Sequence, residues 1–325
     1  MDILLLVVSF VIILVGSELF TNGIEWFGHK LELGEGAIGS VLAAIGTALP
    51  ETMVPLIAIV FGSGVAASEI GVGAILGAPF MLATLAMFVT GVAVWLMRKR
   101  RASGATVAVD RAVITHDLGY FAVAYCVAIG AAFLPVELEW PRRLIAVVLL
   151  GIYGYHVWGH LKAEAAEHEG LEPLRFHRFD RGAPQHPSPP RLFIVSVQVV
   201  VALACIIGGA WSFVHAITEL PETLNSILWV RRGKDTLAMG NITGAMVFQS
   251  AIPTSIGLVF APALWSVTAS DGAVAFGSAA ITLTAVLAIA APLLLTRRLG
   301  AKSLLVGGAL YVAYVAIVAA VIVHG

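Results

Sequence analysis

Two glutamates stand where an apolar chain has least use for them. The phrases TALPETMVPLIAI (47–59) and TELPETLNSILWV (218–230) each place a proline directly before a glutamate, Glu51 and Glu222, inside a run otherwise suited to a bilayer interior. Proline has no N–H to donate and its ring displaces the carbonyl four residues back, so Pro50 frees the carbonyl of Gly46 and Pro221 that of Ile217. Thr47 and Glu51 are four residues apart, as are Thr218 and Glu222, so on a helix each hydroxyl shares a face with its carboxylate. Two carboxylates, two hydroxyls and freed carbonyls form an all-oxygen set of the kind a hard cation such as calcium accepts. One Pro–Thr pair in an apolar helix makes only a kink. A carboxylate in mid-membrane, however, costs about 2.5–3.5 kcal/mol even on the milder insertion scale, and here the cluster occurs twice.

The elements that must carry these residues follow from composition. Of 325 residues 59% are hydrophobic and 12% charged, with a mean hydropathy of +0.94, a balance far from that of soluble domains. Apolar runs near or above the roughly 18 residues that cross a bilayer lie at 2–28, 35–61, 71–97, 118–134, 143–161, 192–230 (a compound stretch), 239–261, 273–296 and 303–323. Runs this continuous in lipid mean helices. The expected class is an all-α polytopic membrane protein. The start, MDILLLVVSF, has no basic segment or small-residue cleavage site and reads as a membrane helix that stays.

A net charge of −1 leaves no basic face for nucleic acid. Cys126 and Cys205 lie in apolar runs as packing residues. No cofactor or protein partner is implied, and a monomer embedded in the lipid bilayer suffices. There is no HExxH, multi-box histidine set or nucleophile constellation, so an enzyme is disfavoured.

Basic residues orient the chain. If ten helices start outside, 17 of the 19 lysines and arginines fall in cytoplasmic loops, leaving only Arg142 and Arg143 outside. The expectation is ten crossings (5+5) in the cell membrane, inner or plasma, with both termini outside. The charged, Pro- and His-containing stretch 162–190 reads as a cytoplasmic linker between a first half, 1–161, and a second, 191–325.

The halves repeat. Thr47, Leu49, Pro50, Glu51 and Thr52 match Thr218, Leu220, Pro221, Glu222 and Thr223, and GAILGA (73–78) matches GNITGA (240–245). With five crossings between the two glutamates the repeats, about 35–97 and 205–261, have opposite orientations. This is the pattern of inverted-repeat transporters, whose ion sites lie at the midplane where broken helices meet.

On these phrases the chain resembles the sodium/calcium exchanger family of the cation/calcium exchanger superfamily, whose alpha repeats carry GTSxPE and GNxxGSN-like motifs; here they are GTALPE (46–51) with GAILGA, and TELPE (218–222) with GNITGA. The resemblance implies a ten-helix antiporter moving Ca²⁺ against Na⁺ or H⁺ by alternating access. Thr47, Glu51, Thr218 and Glu222 would be calcium ligands, and helices one and six would slide against the core. Several positions depart from the family pattern. Ala48 and Glu219 replace the serine after the motif threonine. Ala78 and Ala245 replace the serine of GNxxGS. Leu82 and Gln249 stand where the family has a carboxylate or amide, and Ala74 stands where the second repeat keeps Asn241. Most side-chain ligands of the family's sodium sites are thus missing.

Two protons neutralise a glutamate pair as well as one Ca²⁺ does. Desolvation and mutual repulsion both favour the neutral form, so calcium/proton exchange needs no further site. Glu219, Asn241, Gln249 and His215 are candidates for a secondary ion or proton site. The alternatives are H⁺-coupled exchange of K⁺, Mg²⁺ or Mn²⁺, or a non-transporting remnant. The last arises because Glu222 follows Leu192 by 30 residues whereas Glu51 follows Asp2 by 49. The second half is therefore shortened around helices six and seven, leaving room for a tight hairpin near Gly208-Gly209.

Two further groups stand out. Glu18, Asn22 and Glu25 share a face of the first helix, as a polar seam or an ion vestibule. His156 and His160 share a face in HVWGH and, with His168, His177 and His186 downstream, suit a metal or pH sensor or simply a helix end entering a solvated linker.

Overall fold

The computed structural model describes residues 2–56, 59, 65–162, 171–179, 189–213, 220–268 and 272–324; in a few stretches, 209–213 and 220–225 among them, it describes the backbone alone. The chain is almost entirely helical. In order come α1 (Asp2–Lys30), a π-helical segment (Ala37–Ala43) running into α2 (Ala44–Leu56), and α3 (Val65–Met81), joined through a second π-helical segment (Leu82–Ala86) to α4 (Met87–Met97). Then follow α5 (Arg111–Gly130), α6 (Glu139–Lys162), α7 (Leu192–Phe213), α8 (Leu220–Arg231), α9 (Asp235–Phe260), α10 (Gly272–Thr296) and α11 (Ala301–His324). Among the described residues six helices are long and apolar enough to cross a membrane. Large apolar side chains such as Val147, Phe193, Val200, Leu287, Leu295 and Val312 point outward, as lipid permits. The chain is an integral membrane protein.

The expected spans 118–134 and 143–161 begin earlier, at Arg111 and Glu139. Asp110 explains the first start: as N-cap it accepts the Ala112 and Val113 N–H groups at 2.7 and 3.4 Å. The turn expected near Gly208-Gly209 is not there. α7 continues through both glycines to Phe213, and α8 starts at Leu220. In lipid an unbonded backbone costs more than a glycine in a helix. Glu222 lies on α8, whose described residues run from Leu220 to Arg231; residues 214–219 lie outside the described residues.

α9 is the centre. Its side chains are buried almost throughout, and α2, α5, α6 and α8 pack around it. α1 lies along α7, their approach set by small residues: a Cβ on Gly16 would sit 3.1 Å from Cys205 Cβ, and one on Gly23 would sit 3.0 Å from Val199 Cγ2.

Polar ties hold the two ends. At the basic end Arg101 pairs with Asp235, both almost fully buried; Arg101 also donates to the Val230 carbonyl at 2.8 Å, and the Ala108 N–H donates to Asp235 at 2.7 Å. There too Thr106–Val107 pairs antiparallel with Leu299–Gly300. At the other end the buried guanidinium of Arg142 donates to the carbonyls of Leu134 (2.7 Å), Trp265 (3.1 Å) and Pro262, while Arg143 makes an exposed i,i+4 pair with Glu139.

Candidate cation site

Repeat-one residues reach α9 because glycine lets two backbones nearly touch. A Cβ built on Gly244 would lie 2.1 Å from the Ser40 carbonyl oxygen, one on Gly240 2.9 Å from Ser40 Oγ, and one on Gly39 3.2 Å from the Leu237 carbonyl oxygen. The wide π-helical turn 37–43 presents Ser40 to this crossing; such turns recur at functional sites. Two turns on, the fully buried Thr47 hydroxyl lies 3.1 Å from Asn241 Oδ1 and 3.0 Å from the Ala43 carbonyl. GTALPE and GNITGA, identified separately in the sequence, therefore meet through Thr47 and Asn241.

Glu51 lies one turn beyond Thr47 and is 5% exposed. Gln249 is buried on α9, eight residues after Asn241. Among the described residues Asn241 Nδ2 and Gln249 Nε2 are buried without hydrogen-bond partners. Unpaired polar atoms in a core cost on the order of 1–3 kcal/mol each. A half-turn of the Asn241 amide would exchange the group facing Thr47 and turn an oxygen inward.

Pro50 lies within α2, so the Gly46 carbonyl has no N–H at residue 50 to accept. Glu222 is the third residue of α8, beyond the side chains described. Thr218, Glu219, His215 and Ile217 lie outside the described residues. Of the sequence-predicted set the structure thus brings together Thr47, Glu51 and Asn241, with Gln249 on the same helix as Asn241.

The departures from the family motif are also inside. Ala48, Ala78, Leu82 and Ala245 are all buried, with at most 5% exposure. None offers an oxygen.

Glu18, Asn22 and Glu25 form a seam. Glu18 pairs with Arg175 (2.8 Å) and Arg232 (2.6 Å), and Glu25 accepts from Trp229 Nε1 (2.8 Å) and pairs with Lys234. Asn22 accepts from the Arg175 N–H (3.0 Å) and from Gln198 Nε2 (2.9 Å). Part of the linker is therefore docked: Trp26 donates to the Glu172 carbonyl at 2.8 Å and the Phe176 N–H to Gln198 at 2.8 Å. Hydrogen bonding to Glu18 pushes Arg175 above the ordinary arginine range. The ion pairs line a pocket of about 530 Å³ at the basic end.

Sequence reasoning missed Asp117 and His116. Asp117 is fully buried, accepts from Ser40 and Thr243 at 2.6 Å each, and accepts from His160 (2.7 Å) and His156 (3.0 Å). Placing the span at 118–134 left Asp117 one residue outside it. Its signal was THD, five residues into a helix capped by Asp110.

The family model described as "Sodium/calcium exchanger protein" matches residues 1–161 and 197–323. A putative antiporter, CaxA of Alkalimonas amylolytica, is 24% identical, with 90% of this chain and 89% of that protein covered. The uncharacterized membrane protein MJ0091 of Methanocaldococcus jannaschii is 40% identical over 57 residues, 18% of this chain and 19% of that protein. Solved structures of the sodium-calcium exchanger NCX_Mj share the fold: one soaked with 2.5 mM Na⁺ and 0.1 mM Ca²⁺ gives a TM-score of 0.68 at 17% identity, covering 97% of both chains. Another, soaked with 10 mM Na⁺ and zero Ca²⁺, gives 0.69 at 18% identity over 97% and 98%. With its family model matched in both membrane halves, the chain belongs to the sodium/calcium exchanger protein family, a family of secondary cation transporters.

Proposed function

We propose that this antiporter exchanges Ca²⁺ for Na⁺ or H⁺ by alternating access, with the ion held between Glu51 and Glu222 and assisted by Thr47, Thr218 and the carbonyls of Gly46 and Ile217. The observation that carries the reading is the meeting of the two motifs: Thr47 hydrogen-bonded to Asn241 at 3.1 Å, with the Glu51 carboxylate one turn away and 5% exposed. Two oppositely oriented repeats, 35–97 and 205–261, would supply one glutamate each. One Ca²⁺ would then be neutralised without a further charge. α1 and α7, packed along one another, form the unit that slides.

Proton coupling has its own support. Ala48, Ala78, Leu82 and Ala245 fill buried positions with hydrocarbon, which leaves sodium few side-chain oxygens, whereas two protons need only the two carboxylates. Asn241 and Gln249, with Glu219 and His215, are the remaining groups for a second ion or proton.

The test is calcium uptake by purified protein in liposomes under an outward Na⁺ gradient, an outward H⁺ gradient, or neither. Proton coupling expects uptake with the H⁺ gradient and none with Na⁺ alone. The opposite result removes it. Glu51→Gln and Glu222→Gln are each expected to lower uptake more than tenfold, and uptake unchanged in either would overturn the shared site. Competition with K⁺, Mg²⁺ and Mn²⁺ in the same vesicles settles selectivity. No uptake under either gradient from folded protein would favour a non-transporting remnant with a short second half.

A further inference from the structure

Four side chains on α5 and α6 converge at the end of the bundle that carries Arg111 and Lys162. His116 and Asp117 are adjacent on α5, and His156 and His160 are one turn apart on α6. Each offers a ligand atom within 4.8 Å of the others. From Asp117 Oδ1 the imidazole nitrogens lie at 2.7 Å (His160 Nε2), 3.0 Å (His156 Nε2) and 3.9 Å (His116 Nδ1). A tetrahedral zinc with bonds of ~2.0–2.1 Å separates its ligands by about 3.3 Å. The three separations from Asp117 bracket that edge, and the four ligand atoms as a set spread to 4.8 Å, so accommodating an ion requires side-chain shifts of up to about 1.5 Å.

Further features favour an ion over a static carboxylate–imidazole network. The carboxylate is oriented from behind, since its second oxygen, Oδ2, accepts from Ser40 and Thr243 at 2.6 Å each; fixed outer hydrogen bonds of this kind orient ligating groups. His116 Nδ1, buried and 3.9 Å from Asp117, makes no hydrogen bond among the described residues. A structural network would use it; a ligand waiting for a metal does not. Backbone also gives way to the rings: a Cβ on Gly36 would meet His160 Nδ1 at 3.0 Å and one on Gly159 would meet His116 Nε2 at 3.0 Å.

We propose that His116, Asp117, His156 and His160 form a binding site for one transition-metal dication of the zinc class, separate from the cation site between the repeats. Three imidazoles and one carboxylate suit Zn²⁺, Co²⁺ or Ni²⁺, whereas Ca²⁺ takes oxygen. On binding, the two Nε2–H protons leave Asp117 for the opposite ring nitrogens or for water, and metal–ligand bonds replace the two hydrogen bonds. Ser40 lies seven residues before Thr47, and Thr243 two after Asn241. The metal would thus fasten α5 and α6 to the crossing of α2 and α9.

The test uses the detergent-purified full chain, stripped of metal. One Zn²⁺ per chain by elemental analysis, a rise in melting temperature with Zn²⁺ but not with Mg²⁺, and visible Co²⁺ bands of four-coordinate intensity are expected. His116→Gln, which loses the 3.9 Å contact with Asp117 and the ring contacts with Tyr120, His156 and His160, is expected to weaken Zn²⁺ binding at least tenfold while the metal-free protein still unfolds cooperatively. His177→Gln and Glu51→Gln are expected to keep the affinity. Absence of Zn²⁺ binding in the wild type, or undiminished binding in His116→Gln, would overturn the proposal. So would loss of binding in Glu51→Gln, which would place the metal in the transport site, or in His177→Gln, which would place it in the linker.

Discussion

Substituting Gly244 by alanine tests the crossing on which the proposed cation site depends. The added Cβ would lie 2.1 Å from the Ser40 carbonyl oxygen and 2.5 Å from Ser40 Cα. These are backbone atoms and cannot swing aside. Ordinary contact begins near 3.4 Å, so the helices must part by about 1.3 Å at that point. If only half an ångström of this reaches the neighbouring Thr47–Asn241 pair, its 3.1 Å contact opens beyond hydrogen-bonding range. Overpacking costs about 1–3 kcal/mol and a lost buried hydrogen bond about 1 kcal/mol, giving a destabilisation of roughly 2–4 kcal/mol. Calcium uptake should fall with it, because the two motifs no longer meet. Gly154→Ala is the control: its Cβ meets nothing within 4 Å, and alanine favours an open helix by about 0.5–1 kcal/mol. Thermal denaturation followed by size-exclusion fluorescence, with uptake in liposomes, reads both quantities. Wild-type melting and uptake in Gly244→Ala would refute the close crossing and the site built on it.

Other perturbations follow the same reasoning. Asp235→Asn leaves the buried Arg101 guanidinium without its counter-charge, so a loss of about 3–5 kcal/mol is expected, read as a lower melting temperature. Arg142→Gln uncovers the carbonyls of Leu134, Trp265 and Pro262; at about 1 kcal/mol each the cost is roughly 3 kcal/mol, while Arg143→Gln, at an exposed pair, should change stability by less than about 1 kcal/mol. If protons and calcium compete for one glutamate pair, the apparent calcium affinity of the liposome-bound protein should fall as pH is lowered and approach a hundredfold per pH unit once both carboxylates protonate. An affinity independent of pH between 5 and 8 would exclude the two-proton exchange.

What could be read in the sequence was whatever depends on spacing along one helix. The placing of Thr47 and Glu51 one turn apart on α2 and of Glu18, Asn22 and Glu25 along one helix is periodic, and the helices that carry them are found. What could not be read depends on which helix lies opposite. Nothing in VELEWPRR distinguishes Arg142 from Arg143, yet one is buried against three carbonyls and the other lies in the open. The choice is made by the 262–265 turn, more than a hundred residues away. Hydropathy alone also misplaced Asp117, because a buried carboxylate looks like a loop residue until its partners are known. Gly208-Gly209 misled for the opposite reason: glycine is a stop signal in water, where a freed backbone can be solvated, and a weak one in lipid.

These two errors bear on how the molecule works. The π-helical segment leading into α2 is held to α9 at Ser40 by glycine contacts and, through Asp117, by hydrogen bonds to α5 with its histidine partners on α6. The crossing is therefore anchored in four helices, α2, α5, α6 and α9. α1 and α7 instead pack along each other, with Phe20 and Leu203 both resting on Gly46 of the GTALPE motif. The paired unit meets α2 at Gly46, a residue without a side chain, and is tied to the α8 end by the Glu18–Arg232 and Glu25–Trp229 contacts; under the proposed sliding motion the anchored side keeps Thr47 and Asn241 in register while the glycine contact presents no interlocking side chain at that point. A substitution at Gly46 should thus act on rate more than on ion affinity, and one at Gly244 on both.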